Sequence, residues 1–387
     1  MKRRYLSLLT RTDALALMKN AFPPAGGSVT IPIDKAEGRV ASDPIYARYT
    51  VPDASIAEMD GIAVKSSETI GAGEQRPVIL TEFIQVDTGN AVPPDYDAVI
   101  IIEEVQLDGS SCVIRKAARP GQCIRPPGQD IRKGDLIIPG GHQIRSSDIS
   151  ALATYGYDKI AVRMVRVGIV PVGNELISLG TPPGPGQVIE TNSIFAASFL
   201  SRLGALCTRY RVVPDIPKEI IKTLNRAVSE NDLVLISSGT SAGRHDYSAH
   251  IITRLGRLLF HGVALLPGKP AMAGEIGGKP VVGLPGYPVG SQTVLRELVA
   301  PFLVSWGLAP VPEWIIRGRL ARNMPSELGY DEYIPVSVGS VHGCPWVFPQ
   351  PRGSGLQMNM VRANGYLHIP LAREGWEAGE WAEIHCT

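Results

Sequence analysis

Apolar residues recur at helical spacing through the N-terminal stretch MKRRYLSLLTRTDALALMKNAF, interrupted by Arg11, Asp13 and Lys19, so the pattern predicts an amphipathic surface helix. Residues 27–50 add a strand-like run, VTIPI, and a turn segment, KAEGRVASD. The character changes at 51–134, where short apolar runs (GIAVK, RPVILTEFI, DAVIIIEEV and SCVIRKA) are separated by clusters of Gly, Pro and Asp, the mark of a β-rich module. From 135 to 164, DLIIPGGHQI, a short helix over SSDISALATYG and the strand KIAVRM resume the earlier pattern. The stretch 51–134 therefore reads as an insertion into a linking domain made of 27–50 and 135–164.

Between 165 and 310 the predicted strands VRVGIVPVG, CTRYRVVPD, DLVLISSG and KPVVGLPG alternate with the helices NSIFAASFLSRLGA, IPKEIIKTLNRAVSEN and one near 248–256. Such alternation predicts a parallel sheet covered on both faces, with ligands at the carboxyl ends of its strands. The site is then expected in the loops that follow 173, 215, 239 and 284. Residues 311–387 read as five short strands (WIIRGRLARN, EYIPVSVG, WVFPQP, GYLHIP, WAEIHC), a small β domain. No internal repeat is visible.

Composition narrows the function classes. At roughly 150 residues per domain, 387 residues suggest two to three domains. Glycine and proline, 41 and 32 residues, form about 19% of the chain against a usual ~12%, so turns and backbone-lined loops are abundant in a folded protein. The net charge of +1 offers no field for a nucleic-acid backbone or an anionic membrane, and no run of ~18 uncharged apolar residues is present to span one. No small-residue cleavage site follows the basic start. Five scattered cysteines without a C-x-x-C pair read as reduced thiols and favour a cytoplasmic setting.

The strongest local signal is DLVLISSGTSAGRHDY, in which an apolar strand runs into Ser238, Gly239, Thr240, Ser241, Ala242 and Gly243 and a helix is expected after Asp246. Small residues let backbone N–H groups approach an oxyanion, and a helix start adds positive potential, so the loop suits a phosphate, although it is no Walker loop. Pro267, Gly268, Lys269 and Pro270 form a second loop, and Pro285, Gly286, Pro288 and Ser291 a third before another helix. Prolines on either side of Gly build rigid walls, and Lys269 can neutralise an anion. Asp60, Asp130, Glu190, Asp215 and Asp246 sit in turns or at strand ends, where acids also serve as caps. Two carboxylates 4 Å apart repel by about 4 kcal/mol at an effective dielectric near 20, so convergence would call for a cation. Mg²⁺, which takes one or two carboxylates plus phosphate oxygens, fits. The seven histidines lack zinc spacing, and Ser241, His245 and Asp246 lack a nucleophile elbow.

Taken together, EMDGIAV, DTGNAVP, the IR-x-x-G-x-D-I of residues 124–131, G-x-EL at 173–176, ETNS, SSGTSAGRHDY, PGKP and GLPGYPV occur in the order of the molybdopterin molybdotransferases, the family of MoeA and the gephyrin E domain. The chain resembles that family over nearly its whole length, and RGSG (352–355) and VRANG (361–365) extend the likeness. The resemblance implies a multidomain α/β plus β fold. Its parts would be a three-layer molybdopterin-binding α/β domain (1–26 and 165–310), the linking domain, the inserted β-rich domain and a small β-barrel-like C-terminal domain (311–387). It also implies a homodimer whose site lies between the β module of one copy and the α/β domain of the other, and a molybdopterin adenylyltransferase as upstream partner. The implied reaction inserts molybdate into adenylylated molybdopterin with Mg²⁺ and releases AMP.

By position, Asp60, Thr88 and Asp130 match the family's β-module site residues, and Glu190, Asp215 and Asp246 its acids, Glu190 and Asp246 being the implied metal ligands. Lys269, Pro267, Gly268, Pro285, Pro288 and Ser291 match its PGKP and GLPGNPVS loops, while the backbone of 238–243 would hold the phosphate end. The chain departs from the pattern at Asn174, where an acid is usual, at Leu266 in place of the first lysine of KPGKP, at Gly290 with Ser291 one place late, and at Pro126 and Pro127. Two alternatives stand beside turnover: a diverged molybdopterin-binding carrier or scaffold, and a molybdopterin adenylyltransferase.

Overall fold

The structure, a computed structural model, describes residues 8–237 and 247–386. The chain divides into two compact units, one of Met1–Thr30, Gly38–Ser42 and Ala161–Thr387, the other of Ile31–Glu37 and Asp43–Ile160.

The first unit is built on a six-stranded sheet in the order Leu206–Arg209, Arg166–Pro171, Leu233–Ser237, Lys279–Leu284, Met272–Ile276, Arg257–His261. The first four strands run parallel, as expected. Met272–Ile276 runs opposite to them and pairs antiparallel with both of its neighbours, which corrects the all-parallel expectation. Gly277 and Gly278, with φ of 59° and 76°, form the two-residue turn between Ile276 and Lys279, and so short a link can join only antiparallel neighbours. The predicted strand CTRYRVVPD is also shorter, ending at Arg209.

Alternation along the strands explains the three layers. All five residues of Leu233–Ser237 are buried, with Leu233 and Leu235 in one core and Val234 and Ile236 in the other. Helices Arg11–Ala21 and Asn192–Arg202 pack on the first face through Ala14, Met18, Ala196 and Leu200, joined by Phe302 from a helical stretch that starts at Pro288. Pro217–Glu230 and Tyr247–Leu255 cover the second face through Ile220, Leu224, Ile251 and Ile252. Each Met, Leu, Ile or Phe among them contributes about 1.5–3 kcal/mol by leaving water.

Five strands of the same unit, Trp314–Leu320, Asp331–Val341, Cys344–Pro349, Gly365–Ile369 and Trp381–Cys386, close into a barrel in which each has two partners. Leu320, Ile334, Val336, Val347, Leu367 and Ile384 fill it. Leu265–Leu266 pairs with Asp331–Glu332, which anchors the segment leading into the PGKP loop on the barrel sheet.

The second unit holds two three-stranded sheets, one with Gly61–Val64 between Ile84–Val86 and Ala98–Ile101, the other with Ser111–Ile114 between Val78–Leu80 and Val105–Asp108. Ile62 and Val64 enter one small core and Ala63 another. Gly61, next to Asp60, tolerates no side chain, because a Cβ there would stand 1.9 Å from the Ile100 carbonyl oxygen. Among the described residues no helix is long and apolar enough to cross a membrane, and all five cysteines are free.

Candidate functional site

The carboxyl ends of the two central parallel strands, Leu233–Ser237 and Lys279–Leu284, open onto a cavity of about 610 Å³. Its walls combine Glu175, Leu176, Val188, Ile189, Glu190, Thr191 and Asn192 with Ser237, Pro270 and the segment Pro285–Pro288. Pro270 reaches this edge because Met272–Ile276, the strand after it, runs antiparallel to Lys279–Leu284 and so starts where that strand ends. Asn192 ties two walls together, its Nδ2 donating to the Gly286 carbonyl at 2.8 Å and to Ser237 Oγ at 3.3 Å.

Of the predicted acids, Glu190 lies in this wall, buried and committed. Its Oε1 accepts from the Ser193 N–H at 2.7 Å and its Oε2 from Ser193 Oγ at 2.5 Å, so it caps the helix Asn192–Arg202, with Arg209 4.0 Å away. Each of its oxygens accepts one hydrogen bond and keeps a second lone pair, so the cap and the implied role as metal ligand are compatible. Asp215 pairs reciprocally with Asn174: each backbone N–H donates to the other's side chain at 3.1 Å. The described residues contain no cluster of three His, Cys, Asp or Glu. Ser238, Gly239, Thr240, Ser241, Gly243 and Asp246 lie outside the described residues.

Lys269 is exposed and donates to the Tyr330 hydroxyl at 2.8 Å. Gly268, with φ of 139°, is packed so closely that a Cβ would meet Leu265 at 3.0 Å. Ser291 is 1% exposed, is absent from the cavity wall and has no hydrogen-bond partner for its hydroxyl among the described residues. Gly290 is the position that faces the loops, a Cβ there lying 3.3 Å from Pro285 and 3.7 Å from the Gly268 nitrogen.

A second cavity of about 230 Å³ lies between the α/β layers and the barrel, lined by Leu266, Pro267 and Val289 from one side and Glu332, Arg352 and Ser354 from the other. The Val289 N–H donates to the Ser354 carbonyl at 3.0 Å. Arg352 donates to Glu332 through Nε at 2.6 Å and Nη2 at 3.0 Å, so its charge is already paired. Glu175 and Arg352 were not singled out from the sequence; the signal lay in the quoted G-x-EL and RGSG segments.

In the second unit, the Thr88 N–H and Oγ1 both donate to Asp60 Oδ1, at 2.7 and 2.9 Å. These bonds, the backbone one first, hold the Asp60 carboxyl below its ordinary range. Asp130 accepts from the Tyr155 hydroxyl at 2.7 Å. Asp60 and Thr88 are thus brought together, and Asp130 has a partner of its own.

The sequence model for the MoeA N-terminal region (domain I and II) matches residues 9–156, that for a probable molybdopterin binding domain 168–305, and that for the MoeA C-terminal region (domain IV) 317–386. A putative molybdopterin biosynthesis protein of Methanocaldococcus jannaschii is 30% identical over 92% of this chain and 91% of its own. A molybdopterin molybdenumtransferase of Haemophilus influenzae is 28% identical over 76% of this chain and 77% of its own. The crystal structure of a molybdopterin biosynthesis MoeA protein from Pyrococcus horikosii superposes with a TM-score of 0.86 at 30% identity, covering 98% of this chain and 99% of that one. The three sequence models span most of the chain and a solved MoeA structure superposes over 98% of it, so the chain belongs to the MoeA family.

Proposed function

We propose that this chain is a molybdopterin molybdenumtransferase that inserts molybdate into adenylylated molybdopterin, depends on Mg²⁺ and releases AMP. The observation that carries the reading is the 610 Å³ cavity at the carboxyl ends of the central parallel strands, walled by the ETNS and GLPGYP segments and by Pro270 of PGKP. Relatives sharing this organisation are named for that transfer.

Leu176, Val188 and Ile189 give the ligand an apolar wall and keep water from one side of it. Asn192 fixes the spacing of the GLPGYP segment, and the Glu190 cap fixes Asn192. Hard carboxylate oxygens are present for Mg²⁺: Glu175 stands in the wall, and Asp215 keeps one oxygen without a hydrogen bond among the described residues. Mg²⁺ held by such carboxylates would supply charge stabilisation to the leaving phosphate. Thr88 holds the Asp60 carboxyl below its ordinary range and fixes its orientation. The protein works as a cytoplasmic homodimer and receives its substrate from a molybdopterin adenylyltransferase.

A reading without turnover has one observation in its favour. Leu266 leaves the smaller cavity without the lysine of the resembled pattern, and Lys269 and Arg352 already hold Tyr330 and Glu332. Crystals soaked with adenylylated molybdopterin test the site common to both readings. Ligand density between Glu175 and Pro288 is the expected result, and density only elsewhere would overturn the placement.

A further inference from the structure

We propose that Tyr287 is a stacking platform for a flat heteroaromatic ring of the ligand held in the larger cavity. Tyr287 belongs to the wall of that cavity and is nevertheless 66% exposed, an unusual state for a large aromatic side chain with nothing polar beyond its hydroxyl to keep it in water. Its backbone is rigid: Pro285 and Pro288 flank it, the carbonyl of Gly286 accepts from Asn192, and its own carbonyl accepts from the Ser291 N–H at 3.0 Å. The backbone of Gly355, after the barrel strand Cys344–Pro349, lies beside the ring: a Cβ added there would stand 3.5 Å from Cδ1 and 3.6 Å from Cε1.

A largely bare aromatic ring on a fixed backbone, beside the apolar surface of Leu176, Val188 and Ile189, is suited to take a planar ligand ring by its face. The inference rests on the substrate reading above, whose ligand carries two such rings, a pterin and an adenine. Their shared chemistry, a flat nitrogen heterocycle, is what Tyr287 recognises.

Isothermal titration of wild type, Tyr287→Phe and Tyr287→Leu with AMP, with neopterin and with ribose 5-phosphate tests it and identifies the ring. Tyr287→Leu should weaken the probe that stacks there by about tenfold, Tyr287→Phe should bind it within about twofold of wild type, and ribose 5-phosphate should not respond to either change. A response with AMP alone assigns adenine, and one with neopterin alone assigns the pterin. If Tyr287→Leu binds both ring-bearing probes as wild type does, or if Tyr287→Phe loses as much as Tyr287→Leu, the platform is refuted while the substrate reading stands. If the wild type binds neither AMP nor neopterin, both fall together.

Discussion

Glu190 accepts two hydrogen bonds from Ser193 and neighbours Arg209, so its charge serves the start of the helix that carries Asn192. Replacing it by Ala should cost about 1–2 kcal/mol through the lost cap and the stranded Ser193 groups, seen as a lower urea midpoint. Unchanged stability combined with a lost Mg²⁺ response would assign Glu190 to the metal alone. Motif position alone could not separate the two roles, because a carboxylate before a helix is chemically the same whether it meets an N–H or a cation. Asp60 differs, since it is exposed and takes both of its bonds from Thr88. Cys207 is a plain burial case, its thiol pushed up to about 11 by desolvation.

At the scale of elements, what was legible followed from periodicity. The helices Asn192–Arg202 and Pro217–Glu230 and the five barrel strands were readable because apolar spacing is set by the face each buries. The strand Met272–Ile276 was missed although Gly277 and Gly278 announce a hairpin, since PGKP beside it drew the segment into a loop. Around Ser291 the register along the helix decides which side chain faces the loops. One residue along a helix turns a side chain by about 100°, so the hydroxyl displaced from position 290 points into the core while Gly290 faces Pro285 and Gly268. Contacts between distant segments, such as Lys269 with Tyr330 and Arg352 with Glu332, leave no trace in local pattern.

For the whole molecule, a net charge of +1 means that an anionic ligand must be met by local groups and a bound cation. The excess of glycine and proline has a matching use in the walls formed by Pro270 and Pro285–Pro288. The homodimer proposed above predicts the mass of two chains by light scattering at micromolar concentration; a monomer at that concentration would refute it. The central claim is that the chain turns over its ligand and does not only hold it. Adenylylated molybdopterin incubated with the protein, Mg²⁺ and molybdate should release AMP, with release falling by at least about tenfold in Asp215→Asn and on removal of Mg²⁺. Ligand bound by the wild type with no AMP released, under conditions where a known molybdenumtransferase releases it, would contradict the account.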